Sequence, residues 1–179
     1  MALTDDGPHP YWTPRVLDVL AEFEVPATFN MTGVQVPGNA RLVQRIVAAG
    51  HQIADHTLNH PLNLPALPAP RIRQEIAEAH DRIAQAASAA PRFFRAPGGA
   101  WSRQVVDNAS SLGMICVGWG VDPRDWDRPG VPHITACCCA DFPRLAHVWA
   151  DQGYRGQAFI EWVREDLDVQ IEVVAPGRR

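Results

Sequence analysis

The sequence has no apolar run approaching the ~20 residues that a membrane-spanning helix needs, and this excludes a helical membrane protein. Basic runs are missing too. Sixteen basic residues stand against 20 acidic ones for a net charge of −4, so the chain carries no electrostatic footprint for nucleic acid. Cysteine is scarce and poorly placed for cross-linking. Of the 4 cysteines, Cys137, Cys138 and Cys139 are contiguous, which suits neither a disulfide framework nor the spacing of a zinc knuckle. Cys116 lies in an apolar run and reads as a core residue. No charged, then apolar leader precedes the first apolar stretch, because Met1 sits directly on it, so the chain as written is expected in the cytoplasm. What is present is ordinary globular composition, 46% hydrophobic and 20% charged over 179 residues, enough to bury one core.

Short apolar runs alternate with helical patterns. A strand is expected from Ala2, followed by a helix capped by Thr13 with Pro14 at its first position and Val16, Leu17, Leu20 and Phe23 on one face. Ala27–Met31 reads as a strand. Ala40–Ala49 reads as a helix with Leu42, Val43, Ile46 and Val47 inward, closed by Gly50. Gln52–Asp55 is a third strand. After a Pro-rich loop over 61–70, Arg71–Ala87 is a helix marked by Ile72, Ile76 and Ile83; Phe93–Arg95, Ser102–Leu112 and Met114–Trp119 continue as strand, helix and strand. Strict alternation predicts an α/β fold with a parallel sheet.

Chemistry-bearing residues gather just after the expected strands, the face on which α/β folds build their sites. Asp5 and Asp6 end the first strand before a Gly-Pro turn. His56 and His60 follow the third, four residues apart, a spacing that puts both imidazoles on one helical face. One carboxylate plus two imidazoles is a three-ligand set for a divalent metal with positions left open, and the second carboxylate is then free to move a proton. Such a metal polarises an amide carbonyl and lowers the pKa of water. Taken singly, an Asp-Asp-Gly-Pro turn is more often a solvated turn, and an isolated HxxxH more often a pair of surface or hydrogen-bonded histidines than a metal site. Arg95, after the fourth strand, is placed either to pair with Asp5 or to form a surface salt bridge. Trp126 is either a half-buried aromatic or a stacking surface.

Four stretches occur in a telling order: Thr4-Asp5-Asp6-Gly7-Pro8, His56-Thr57-Leu58-Asn59-His60, Phe94-Arg95-Ala96-Pro97-Gly98-Gly99 and Gly120-Val121-Asp122-Pro123-Arg124-Asp125-Trp126. In that order and rough spacing, residues 2–135 resemble the polysaccharide deacetylases, the family 4 carbohydrate esterases with the NodB homology domain. The resemblance implies an irregular (β/α) barrel, here truncated, and metal-dependent removal of acetyl groups from N-acetylated sugars. It further implies that Asp5 is the base, that Asp6, His56 and His60 hold the metal, and that Arg95 orients the base. It places Asp125 as the acidic residue tuning a histidine acid, and Pro97, Gly98 and Trp126 along the substrate groove.

Two departures accompany the resemblance. Family members carry a bulky residue between Thr and the first Asp, whereas Thr4 runs directly into Asp5; a strand one residue short flips its side chains unless a bulge or turn absorbs the change. The family also ends in a Leu-x-Leu-His strand whose histidine protonates the departing amine, and nothing after Arg128 matches it. Among the remaining histidines, His9, His51, His80, His133 and His147 read as surface or capping residues, His9 standing nearest the site.

From about Phe142 the character changes. Residues 148–156 with 171–174 resemble part of the catalytic domain of insertion-sequence DDE transposases, where the position of Asp151 is one of three metal-binding carboxylates. The expected organisation is therefore a deacetylase-like domain over 1–136, incomplete at both ends, and an unrelated tail over 137–179 with a strand at 146–150, a helix at 157–166 and a strand at 169–174. This reads as a composite frame joined near 136–140.

The leading expectation is a metal-dependent carbohydrate N-deacetylase, impaired by loss of its acid, with zinc as the metal and cobalt or nickel as substitutes. Its substrate would be a chitin-like oligomer or peptidoglycan, with no nucleic-acid partner and no membrane span; family members commonly act outside the cell. The alternatives are a non-catalytic remnant that binds metal or glycan, and an iron(II) oxygenase using a two-histidine, one-carboxylate triad.

Overall fold

The computed structural model describes residues 2–118 and, beyond them, the backbone of two strands at 147–150 and 170–173. The chain divides into two compact units, Met1–Gly118 and Trp119–Arg179. In the first, β1 (Ala2–Gly7), α1 (Trp12–Glu22), β2 (Ala27–Met31), α2 (Ala40–Ala48), β3 (Gln52–Asp55), α3 (Ala69–Ala87), β4 (Phe93–Phe94), α4 (Arg103–Ser111) and β5 (Ile115–Cys116) alternate as expected. The five strands form one parallel sheet in the order β1-β2-β3-β4-β5. Every crossover holds a helix, and crossovers of one hand stack their helices on one face. This is how the wall of a (β/α) barrel is built.

The sheet has an apolar side and a polar side. Ala27, Phe29 and Met31 of β2 join Leu17, Leu20, Val43, Ile46, Ile53 and Ile83 in one core cluster. The alternate residues Thr28 and Asn30 project to the opposite face, and they too are buried. A strand buried on both faces is normal for a parallel sheet, and here the second face is polar and leads to the site. A second cluster gathers Leu64, Ile72, Ile76, Phe94, Val105, Ala109 and Met114. Helix α3 therefore spans both clusters, and each of its three fully buried isoleucines contributes about 1.5–3 kcal/mol. Partly buried Cys116 packs against the second cluster, and burial pushes its thiol pKa up.

The helix ends follow local chemistry. Ser102 caps α4 by accepting from the Val105 N–H, and Gly50 and Gly113 follow α2 and α4 with positive φ. The expected Thr13 cap is corrected. Helix α1 begins at Trp12, the Thr13 hydroxyl accepts from the His9 N–H at 2.8 Å, and His9 Nδ1 accepts from the N–H groups of Tyr11 and Trp12 at 3.2 and 3.3 Å. The histidine, one turn earlier, supplies the cap.

β1 is irregular at the acidic pair. Thr4 pairs with Phe29 and Gly7 with Met31, so Asp5 and Asp6 together stand opposite Asn30 in a bulge. Asp6 adopts φ 65°, a left-handed conformation that Asp tolerates better than most residues. In the second unit the described strands β6 (His147–Ala150) and β7 (Gln170–Val173) pair with each other in parallel. The helix expected at 157–166 lies outside the described residues. Among the described residues, no helix is long and apolar enough to cross a membrane.

Candidate active site

Three strands deliver the site at their carboxyl ends: β1 with Asp5 and Asp6, β3 with His56, and β4 with Arg95. Asp6 Oδ1 lies 3.7 Å from His56 Nε2 and 3.2 Å from His60 Nε2. One ligand atom from each of Asp6, His56 and His60 lies within 4.8 Å of the other two. Buried His56 has its Nδ1 2.7 Å from the Arg95 carbonyl oxygen. A carbonyl oxygen only accepts, so Nδ1 carries the proton and Nε2 presents its lone pair towards Asp6. Burial pushes the His56 pKa below the usual histidine value, against the pull of the Arg95 carbonyl. A neutral imidazole with its second nitrogen anchored is what a metal ligand needs, so these residues fit a divalent cation.

The expected helical face at His56 and His60 is corrected to a turn. Residues 56–60 are not helical, and Thr57 and His60 have φ 68° and 58°. The Thr57 N–H donates to Asp55 Oδ1 at 2.7 Å, and the Thr57 hydroxyl accepts from the His60 N–H at 3.1 Å. This tight loop brings the two imidazoles to 4.9 Å between centroids. Burial raises the Asp55 pKa well above its usual value, with the nearby Glu75 carboxylate adding to the rise.

Asp5, beside the ligand set, is held from two sides. Arg95 Nε lies 3.2 Å from Asp5 Oδ1, and Asn30 Nδ2 donates to the same oxygen at 2.8 Å. Arg95 is 10% exposed at its side chain and also donates to the Gly118 carbonyl, so it is not a surface salt bridge. Buried Pro97 and exposed Gly98 form a tight turn after β4; a Cβ on Gly98 would lie 3.2 Å from Leu62 Cδ2, and Leu62 is itself exposed. Asp125, Trp126 and Asp151 lie outside the described residues.

Sequence reasoning passed over Asn30 and Glu75. Both had a signal: each is polar at a position where the apolar period demands burial, Asn30 in the run Ala27–Met31 and Glu75 beside Ile72, Ile76 and Ala79. Of the remaining histidines, His9 caps α1, His51 accepts from the Ala27 N–H, and His80 neighbours Asp81.

Fold and site together define a class: an α/β domain with an Asp-His-His cluster that could hold a metal ion, and a second, arginine-paired aspartate, at the carboxyl ends of its parallel strands. The chain belongs to the polysaccharide deacetylase family, which it matches over residues 1–117. It is similar to a chitooligosaccharide deacetylase of Bradyrhizobium sp. (strain ANU 289), at 42% identity over 158 residues, covering 84% of this chain and 68% of that protein. A peptidoglycan-N-acetylglucosamine deacetylase of Bacillus cereus (strain ATCC 14579) is 37% identical over 132 residues, covering 73% of this chain and 61% of its own length. The solved family 4 carbohydrate esterase from Streptomyces lividans, in complex with acetate, superimposes with a TM-score of 0.71 at 29% identity, covering 76% of this chain and 70% of that one. The chain thus spans about two thirds of the length of these relatives.

Proposed function

We propose that this protein is a metal-dependent hydrolase that removes N-acetyl groups from chitin-like oligosaccharides or peptidoglycan, with zinc as its cation. The carrying observation is the convergence of Asp6, His56 and His60 within 4.8 Å, next to an Asp5 already paired with Arg95. A divalent cation there supplies Lewis acidity to the amide carbonyl and to water. Asp5 takes the proton as water adds to the carbonyl carbon, and Arg95 and Asn30 fix which way its carboxylate faces. The carbon–nitrogen bond then breaks, acetate leaves, and the amine takes up a proton. The family resemblance supports Pro97 and Gly98, with Trp126, as residues of the sugar groove, and Asp125 as the acidic residue that tunes the acid. The relatives named above support an acetylated glucosamine polymer as the substrate class. An oxygenase would have no use for the Asp5–Arg95 pair.

Nothing after Arg128 in this sequence matches Leu-x-Leu-His, so protonation of the departing amine is the step to test. Acetate release from N-acetylglucosamine oligomers is expected to be slow, lost on chelation, and restored by zinc or cobalt. Release that persists after full chelation would sink the metal reading, and zinc uptake without any acetate release would leave a metal-binding remnant.

We infer that the segment after about residue 136 derives from a mobile element of the DDE transposase type. The resemblance of residues 148–156 and 171–174 supports this reading; the match to the Bradyrhizobium sp. relative, over 84% of the chain, extends into part of this segment. Sequencing the locus is expected to find the deacetylase frame interrupted there; an uninterrupted gene of single origin would refute it.

A further inference from the structure

A buried carboxylate on α3 holds the histidine loop in place. Glu75 is 1% exposed and sits within the apolar stripe of Ile72, Ile76 and Ala79. Burying a carboxylate costs several kcal/mol unless every lone pair is met, so its partners explain its presence. Oε2 accepts from the Asn59 N–H at 2.8 Å, and Oε1 accepts from Asn59 Nδ2 at 2.8 Å and from Arg71 Nη2 at 2.9 Å. The Glu75 backbone carbonyl accepts from the Leu58 N–H at 2.8 Å. A single helical residue therefore fixes Leu58 and Asn59, the two residues just before His60.

That grip falls on a strained segment. Thr57 and His60, which flank the held pair, both have positive φ, and such conformations in non-glycine residues cost on the order of 1–3 kcal/mol each unless the surroundings enforce them. If Leu58 and Asn59 were released, the loop would relax towards ordinary φ. The His60 imidazole would then swing away from Asp6 Oδ1, now 3.2 Å from its Nε2.

We propose that Glu75 is a positioning residue that sets the divalent-metal affinity of the site by clamping the loop that carries His60. This rests on the reading of Asp6, His56 and His60 as a metal site. It places part of the site's preorganisation on a helix that contributes no ligand. Arg71, at the far side of Oε1, holds the carboxylate in its double-acceptor orientation and belongs to the same clamp.

The test compares the full chain with Glu75→Met, which keeps the volume and removes the acceptors, and with Asn59→Ala at an exposed position, which removes one arm. Zinc affinity is read by competition with a chromophoric chelator, and Asn59 amide exchange is followed in the metal-free state. Glu75→Met is expected to weaken zinc binding about 10–100-fold, the usual cost of losing an outer-sphere support. Asn59→Ala is expected to weaken it roughly fivefold, as for one side-chain hydrogen bond. Asn59 amide exchange should speed up in Glu75→Met. Parent affinity in both variants overturns the clamp while leaving the metal site standing; if Glu75→Met does not fold by circular dichroism, Asn59→Ala decides alone. No zinc uptake by the parent chain overturns the metal reading and the clamp with it.

Discussion

Arg95 touches the two halves of the site with different atoms: its carbonyl oxygen is 2.7 Å from His56 Nδ1, and its Nε is 3.2 Å from Asp5 Oδ1. The backbone atom anchors the His56 imidazole, and the side chain pairs with the Asp5 carboxylate. Replacing the side chain should therefore separate the two roles. Arg95→Ala is expected to lower the rate of acetate release about 100-fold, within the range for a mispositioned general base, while zinc affinity by calorimetry stays near that of the parent. Equal losses of rate and affinity would contradict this division.

Asn30 supplies the second hold on Asp5. It is 1% exposed and donates to both Asp5 Oδ1 and the Thr4 carbonyl. Asn30→Ala is expected to cost about 1–3 kcal/mol of stability, by removing one of the two holds on Asp5 Oδ1 and the bond to the Thr4 carbonyl, and to lower the rate of acetate release. Denaturant unfolding with parallel acetate assays checks both. An Asn30→Ala variant with the parent's stability and rate would place Asp5 under Arg95 alone.

Gly33 follows β2 where its loop crosses α3. A Cβ there would lie 2.8 Å from Ala79 Cα and 3.0 Å from both Ala79 Cβ and Leu58 Cδ1. Gly33→Ala is expected to destabilise the protein by about 1–3 kcal/mol through overpacking. Because the nearest obstacle is backbone, adding Ala79→Gly should restore only part of the loss. Full rescue in thermal melts would show that the side chain alone was the obstacle.

The pH dependence of stability has a defined sign at His51. Burial lowers its pKa below the ordinary 6.5, and its Nδ1 accepts from the Ala27 N–H, which a protonated ring cannot do. The unfolded state then binds more protons than the folded state in the range below 6.5. His51 stability is present above that value and is lost as pH falls through the depressed folded value. His56, depressed by burial, acts in the same direction, and Asp55, raised by burial, opposes them. In metal-free protein, His51→Gln should shrink the loss of unfolding free energy between pH 7 and 5, roughly the span over which histidine titrates. An unchanged loss would remove His51 from the account.

The order of strands and helices was legible because burial imposes its period on local sequence. The runs Ala27–Met31 and Gln52–Asp55 became the strands expected, and Val43 with Ile46 marked the buried side of α2. The proximity of the motif residues was legible as well, since Asp6, His56 and His60 lie together and Asp5 pairs with Arg95. Shorter strands were overextended: β4 ends at Phe94 and β5 at Cys116. After β4 the chain turns to place Arg95 beside Asp5, and Trp119 lies outside the described residues.

By itself the sequence determined which residue types meet and on which end of the sheet, because hydrophobic period and strand direction are local properties. Only the tertiary structure decided how they face one another. The bulge at Asp5 and Asp6 exists because β2 fixes the register on either side of it. The left-handed residues Thr57 and His60 persist because Glu75 and Asp55 hold the loop between and beneath them. His9 became a helix cap because α1 starts within reach of its ring. Each of these outcomes turns on hydrogen bonds to partners that the sequence alone does not pair.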